Sequence, residues 1–263
     1  MKRSYKILIG CFIFFILVLL GSLFFVQSKT YQPLSDALNE TETTDQYRVE
    51  ESSDAIIFSP LNEQQSISIL FYQGGLVEEK SYSSIAAKLA EKGYPVYLVK
   101  HALNLAVTDA NKAETIITDE KIQDFVIGGH SLGGVMASRF ANESYSESLK
   151  GVFLLASYPD EKGRLDKLPI SVLSLIGSND GVVNEETYQL GKDYLPATTS
   201  FYTIEGGNHA GFGDYGDQEG DLPATISPEQ QQEQTVDQLE KWLRKIKENE
   251  YQKRGSATFD VGY

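Results

Sequence analysis

Hydrophobic positions follow two regimes along this chain. From Ile7 to Val26 no charged residue interrupts a run dominated by Ile, Leu, Val and Phe. About twenty apolar residues at ~1.5 Å each match a bilayer core of ~30 Å, so this run predicts one membrane-spanning helix. Beyond Ala55 the pattern changes to short apolar runs separated by stretches of helical spacing. The runs predict strands at Ala55 to Phe58, Ser66 to Tyr72, Pro95 to Val99, Phe125 to Gly128, Gly151 to Ala156, Ser171 to Ile176 and Ser200 to Ile204. Helices are predicted at Lys80 to Lys92, Asn104 to Thr118, Leu132 to Asn142 and Glu185 to Tyr194. Ser227-Pro228-Glu229-Gln230 opens a last helix in the manner of a capping box, and Val236, Leu239, Trp242, Leu243 and Ile246 give it one apolar face. Such alternation predicts an α/β domain with a mainly parallel sheet covered on both faces.

The chain then divides into an anchor (1–28), a polar tether (29–50), an α/β domain (51–250) and a C-terminal tail (251–263). Thr, Glu, Asp and Gln dominate from Gln27 to Arg48, a composition that favours poor order, although Tyr47 to Glu51 also suits an arm packed on the domain. Lys2, Arg3 and Lys6 precede the apolar run and acidic residues follow it, which places the amino terminus in the cytoplasm and the domain outside. A cleaved signal would have a shorter apolar core and an A-x-A-like site, so an uncleaved single-pass anchor is expected rather than secretion. Leu8-Ile9-Gly10-Cys11 looks like a lipobox but sits at the start of the apolar run, whereas a lipobox needs that run before its cysteine, and Cys11, the single cysteine, permits no intramolecular disulfide. Formal net charge is −14, and residues 1–29 hold four basic groups and no acidic ones. The remainder carries 37 acidic against 19 basic groups, which disfavours nucleic acid as a partner and close adhesion to an anionic leaflet.

Chemistry enters with Gly129-His130-Ser131-Leu132-Gly133, a G-x-S-x-G between a predicted strand and a predicted helix. Small residues at Gly129 and Gly133 allow a turn tight enough to expose the hydroxyl of Ser131, the candidate nucleophile. A serine needs a base, and that base needs an orienting group. Of the three histidines, His130 is expected to pack within the motif, and His101 precedes the serine in the wrong chain order. His209, in Gly206-Gly207-Asn208-His209-Ala210-Gly211, is the candidate base, placed after a strand in a glycine-rich loop. Asp180 follows the strand ending at Ile176, at the sheet edge where open α/β folds hold their sites, and Asp160 and Asp214 are weaker candidates for the acid. The order Ser131, Asp180, His209 is the one expected with this elbow. The oxyanion would be held by backbone amides: Leu132, directly after the serine, and Gly75 or Leu76, where the strand ending Tyr72-Gln73-Gly74-Gly75-Leu76 finishes. Tyr82, Tyr158, Tyr215 and Phe212 fall in loops or helix starts near this site, with packing as their expected role.

Together, Tyr72-Gln73-Gly74-Gly75-Leu76, Gly129-His130-Ser131-Leu132-Gly133-Gly134, Gly177-Ser178-Asn179-Asp180 and Gly207-Asn208-His209 resemble the α/β-hydrolase superfamily from about Ile56 to Lys247. The nearest flavour is that of the small, lidless, dienelactone-hydrolase-like bacterial members. Dienelactone hydrolases use cysteine where this chain has Ser131, so the resemblance implies serine-hydrolase chemistry without carrying over dienelactone as substrate. Only Ser157 to Leu168 follows the strand at Gly151 to Ala156, which leaves no room for a lid. The implied enzyme cleaves esters or related acyl bonds of a small-molecule substrate through an acyl-enzyme, with no metal or organic cofactor. Alternatives are a peptidase or amidase with the same triad, or a hydrolase fold kept as a binding module.

Overall fold

The computed structural model describes residues 3–257. Arg3–Lys29 form helix α1, the one helix among the described residues long and apolar enough to cross a membrane. Segment 29–50 is not the poorly ordered tether expected from its composition. It contains a short helix α2 (Ser35–Asn39) and a strand β1 (Tyr47–Glu51), and Ala37 and Tyr47 are buried. Strand β1 is the packed arm that Tyr47 to Glu51 also suited: the Tyr47 ring packs on Phe58 and its hydroxyl donates to Glu40.

The remaining strands are β2 (Ala55–Pro60), β3 (Ile67–Tyr72), β4 (Val96–Val99), β5 (Asp124–His130), β6 (Leu149–Leu155), β7 (Ser171–Gly177) and β8 (Ser200–Ile204). They form one sheet in the order β1-β2-β4-β3-β5-β6-β7-β8. Strands β1 and β2 pair antiparallel, β2 pairs antiparallel with β4, and every pairing from β4 to β8 is parallel. The helices are α3 (Ser83–Glu91), α4 (Lys112–Asp119), α5 (Leu132–Glu143), α6 (Glu185–Gly191) and α7 (Pro228–Ala257). Residues 258–263 of the expected tail lie outside the described residues.

Alternating side chains of each strand feed two separate cores. Phe71, Leu98, Val126, Phe153 and Leu175 pack under α3 and α7, while Tyr72, Val99, Ile127, Val152 and Leu154 pack under α4 and α5. Fully burying a side chain of this size stabilises the fold by about 1.5–3 kcal/mol, so two dry faces account for a central sheet that is apolar on both sides.

The helix expected from Asn104 begins eight residues late, at Lys112. Leu103 (φ 59°) and Asn104 (φ 54°) adopt left-handed backbone, which a helix does not tolerate, and the chain makes two 3-10 turns instead. At Lys80 likewise a 3-10 turn (Glu79–Tyr82) precedes α3.

Candidate active site

Ser131 sits between β5 and α5 at φ 51°, ψ −122°, a strained conformation costing on the order of 1–3 kcal/mol for a residue with a Cβ. Two hydrogen bonds, one to the neighbouring backbone and one from a side chain, hold it there. Its N–H donates to the Leu155 carbonyl at the end of β6 (2.9 Å), and its carbonyl accepts from the Ser157 hydroxyl (2.7 Å). A Cβ on either Gly129 or Gly133 would drive into the Tyr72 carbonyl of β3, so the turn closes only with glycine at both positions.

Asp180 and His209 meet across the loops after β7 and β8. The His209 Nδ1–H donates to Asp180 Oδ2 at 2.9 Å, and both side chains are almost fully shielded from solvent. The second oxygen of Asp180 accepts from the amides of Val182 (2.9 Å) and Val183 (2.8 Å), which orients the carboxylate. Among the described residues His209 Nε2 is buried with no hydrogen-bond partner, and no hydrogen bond joins it to Ser131. Hydrogen bonds of this kind often tighten only when substrate is bound.

Of the two loop amides considered for the oxyanion, that of Leu76 donates to the Asn104 carbonyl (2.8 Å). Gly75 is different: no acceptor is found for its N–H among the described residues, and a Cβ there would lie 3.2 Å from the Leu132 side chain. Leu132 is the first residue of α5, where helix geometry leaves N–H groups without an intrahelical acceptor. Gly75 and Leu132 are therefore adjacent, with their amides available.

The remaining candidates have other partners. The carboxylate of Asp160 is gripped by Arg139 (3.1 and 3.2 Å to Nε) and accepts from the Gly163 amide; burial pushes its pKa up, but these partners outweigh that and hold it below the usual range. Asp214 accepts from the Ser84 hydroxyl and from Gln232 (2.8 Å). His101 donates from Nδ1 to Gln73 Oε1 (2.9 Å) and, being buried, has its pKa pushed down to about 4. His130 is fully buried against the His209 ring, with centroids 4.5 Å apart. Burial foremost, and then the neighbouring His209, holds it well below the ordinary histidine range and keeps it neutral. Tyr82, whose hydroxyl accepts from Gly74 N–H (3.0 Å), turns its own proton to His130 Nδ1 (2.9 Å).

Two residues that matter here were not anticipated from the sequence. Asp221 accepts from Gly181 N–H (3.0 Å) with one oxygen and from Ala210 N–H (2.8 Å) with the other, tying the Asp180 loop to the His209 loop. Buried Gln231 accepts from Asn208 N–H (3.0 Å) and donates to the Asn208 carbonyl (2.8 Å), fixing the residue before His209. A signal existed for Gln231: it lies eight residues before Leu239 and eleven before Trp242, helical spacings that put a polar residue on the inward face of α7. For Asp221, in a Gly- and Asp-rich loop, no such pattern was present.

Ser131, Asp180 and His209 all lie beyond the carboxyl ends of parallel strands, where open α/β sheets place their sites. A cleft of about 790 Å³ lies at the opposite end of the sheet, lined by Leu149, Ser171, Ser200 and Lys245, and it holds none of these groups.

Comparison with known proteins agrees with the fold. In solved structures the chain resembles an alpha/beta hydrolase enzyme from the metagenome of lagoon sediments at Mar Chica, Morocco (TM-score 0.56, 15% identity, 75% of this chain and 98% of that one). It also resembles Est1E from Butyrivibrio proteoclasticus (0.53, 14%, 77% and 99%) and carboxyl esterase 2 from the fungus Tuber melanosporum (0.53, 12%, 70% and 83%). No curated protein matches the sequence. The model of the alpha/beta hydrolase family matches residues 68–233, a span from β3 to the first turns of α7. The chain belongs to the alpha/beta hydrolase family and is a hydrolase.

Proposed function

We propose that this protein is a membrane-anchored serine hydrolase of carboxylic esters. The observation that carries the reading is the buried 2.9 Å pair between Asp180 and His209, whose ring packs on His130, the residue before a serine held at positive φ between strand and helix. Likeness of fold to a carboxyl esterase supports the ester as bond type.

Ser131 Oγ attacks the acyl carbon while His209 Nε2 takes its proton. Asp180 Oδ2, accepting from Nδ1–H, keeps the imidazole in the tautomer whose Nε2 is free to accept and stabilises the cation that forms. The amides of Leu132 and Gly75 receive the developing oxyanion; Leu76, already committed to Asn104, does not. His209 returns the proton to the departing alkoxide, leaving an acyl-serine. Water then attacks that ester, giving its proton to His209, and collapse releases the carboxylic acid and restores Ser131. The apolar run of α1, with Lys2, Arg3 and Lys6 before it, anchors the enzyme with its domain outside the cytoplasm.

The test is labelling of the full-length protein in detergent with a fluorophosphonate, followed by peptide mapping. Label on the peptide containing Ser131, lost in Ser131→Ala and His209→Ala, is the expected result. An unlabelled but folded wild type would sink the reading.

A further inference from the structure

The segment directly after α1 docks on the candidate site itself. Tyr31 N–H donates to the Leu76 carbonyl (2.7 Å) and Glu78 N–H donates to the Tyr31 carbonyl (3.1 Å), forming a parallel bridge between Tyr31 and Val77. Leu76 is the residue after Gly75. On its other side the Tyr31 ring lies 5.4 Å from Tyr215, its hydroxyl accepts from Glu219 N–H (3.1 Å), and Leu34 N–H donates to the Asp214 carbonyl (2.8 Å). Residues 31–34 are thus wedged between the loop that carries Gly75 and the loop that follows His209.

Only Thr30 separates this clamp from Lys29, the end of α1. Past Val26 the helix continues for Gln27, Ser28 and Lys29, about 4.5 Å, close to the ~5–7 Å of headgroup on each side of a bilayer core. Thr30 and Tyr31 add at most about 7 Å of extended chain. A flexible tether would let the domain turn freely, whereas this connection keeps the Gly75 loop within about 12 Å of the hydrocarbon core. Exposed apolar side chains sit on the same segments. Leu34 and Leu38 flank or lie in α2, one helical turn apart; Leu103 and Val107 border Asn104, whose carbonyl holds the Leu76 amide; Val182 and Leu222 border Asp180 and Asp221. Large apolar side chains left exposed around a site mouth fit an interfacial surface better than open water.

We propose that the site faces the leaflet in which α1 is anchored and draws its acyl ester from that leaflet, as an amphiphile with an uncharged or zwitterionic headgroup. The acidic domain repels an anionic headgroup, which sets the charge class. The inference rests on the membrane-anchored esterase reading above.

Its test uses the full-length protein in phosphatidylcholine vesicles that contain a fluorogenic monoacylglycerol, with p-nitrophenyl butyrate in solution as a parallel substrate. A variant carries twenty Gly/Ser residues between Lys29 and Thr30. This keeps both the anchor and the Tyr31 clamp but adds a coil of about 25 Å root-mean-square span. Butyrate hydrolysis is expected to stay within about twofold of wild type, and vesicle-ester hydrolysis to fall at least tenfold. Equal vesicle rates for the two proteins would overturn the inference, as would a wild type that cleaves butyrate and leaves the vesicle ester intact. Replacing half the phosphatidylcholine by phosphatidylglycerol is expected to slow the vesicle reaction, and an equal or faster rate overturns the headgroup class. Two readouts separate the premises: no turnover of either substrate removes the esterase reading, and release by carbonate removes the anchor.

Discussion

Around Ser131 the chain is held by its own backbone, whereas around His209 it is held by side chains brought from far along the sequence. The Ser131 turn combines Ser131 at φ 51°, Ala156 at φ 46° and Leu76 at φ 58° with glycines that lie against the Tyr72 carbonyl. The acid–base half contains no such strain at Asp180 or His209. Its loops are fastened instead by Asp221, which bridges Gly181 and Ala210, and by Gln231, which brackets Asn208. The division has a chemical reason. A nucleophile must present one oxygen at a fixed point, which a rigid turn does well. An imidazole must gain and lose a proton without moving, which calls for hydrogen-bond partners to every neighbouring group.

The largest expected effect comes from breaking the orientation of His209 while keeping its shape. In Asp180→Asn the amide oxygen continues to accept from Val182 and Val183, so the amide NH2 faces His209 Nδ1. That forces the tautomer with the proton on Nε2, which cannot accept from Ser131. Ester kcat should fall by about 10⁴-fold with little change in Tm. A loss of only a few fold would mean that Asp180 does not orient the base. Second in size is Gly133→Ala, in which a methyl group strikes the Tyr72 carbonyl. The backbone-held half cannot yield without opening β3 from α5, so a stability loss of more than about 3 kcal/mol is expected, visible as a Tm lower by roughly 10 °C. An unchanged Tm would show that the turn is softer than its geometry implies.

Gln231→Leu tests the other half. It leaves the buried N–H and C=O of Asn208 without partners, at roughly 1–3 kcal/mol each. Here activity should suffer more than the nucleophile turn: a drop in kcat of about tenfold, with fluorophosphonate still reaching Ser131, though more slowly. Equal impairment in Gly133→Ala and Gln231→Leu, by every readout, would erase the distinction between the halves. The same distinction governs what the sequence made legible. Backbone-held features are local, so G-x-S-x-G between an apolar run and a helix announces the turn within a few residues. The central strands and both apolar faces were readable for the same reason, as short and nearly continuous apolar runs. Asp221 and Gln231 act on residues eleven or more positions away in the chain, and no local pattern links Asp221 to Gly181 or Gln231 to Asn208. Docking of residues 30–46 was illegible because it depends on a few contacts, such as Tyr31 with Val77, within a polar composition, whereas Tyr47 to Glu51 was readable as a packed arm.

His101 sharpens the comparison, because there the backbone-held half leans on a buried side-chain hydrogen bond. Its Nδ1–H donates to Gln73, which precedes Gly74 and Gly75, and its ring meets the edge of Tyr72. Burial disfavours the imidazolium and outweighs the nearby Asp109, while Lys112 acts in the same direction as burial, so the pKa falls from 6.5 to about 4. Between those values the unfolded chain binds more protons than the folded one. The associated stability is fully present above about pH 6.5 and is lost as pH falls toward 4. From pH 7 to pH 5 this group should cost about 2 kcal/mol, from some 1.5 pH units at ~1.36 kcal/mol each. Buried His130 acts in the same direction, so His101→Gln should reduce the acid sensitivity without abolishing it. Urea midpoints at pH 7 and pH 5 measure the difference, with the variant losing less than wild type. Parallel losses in the two proteins would mean that His101 is already solvated in the native state and that the Gly75 loop does not depend on it. A smaller loss in the variant, together with an acid-induced fall in kcat that His101→Gln lessens, would show that protonation reaches the oxyanion side of the site through Gln73.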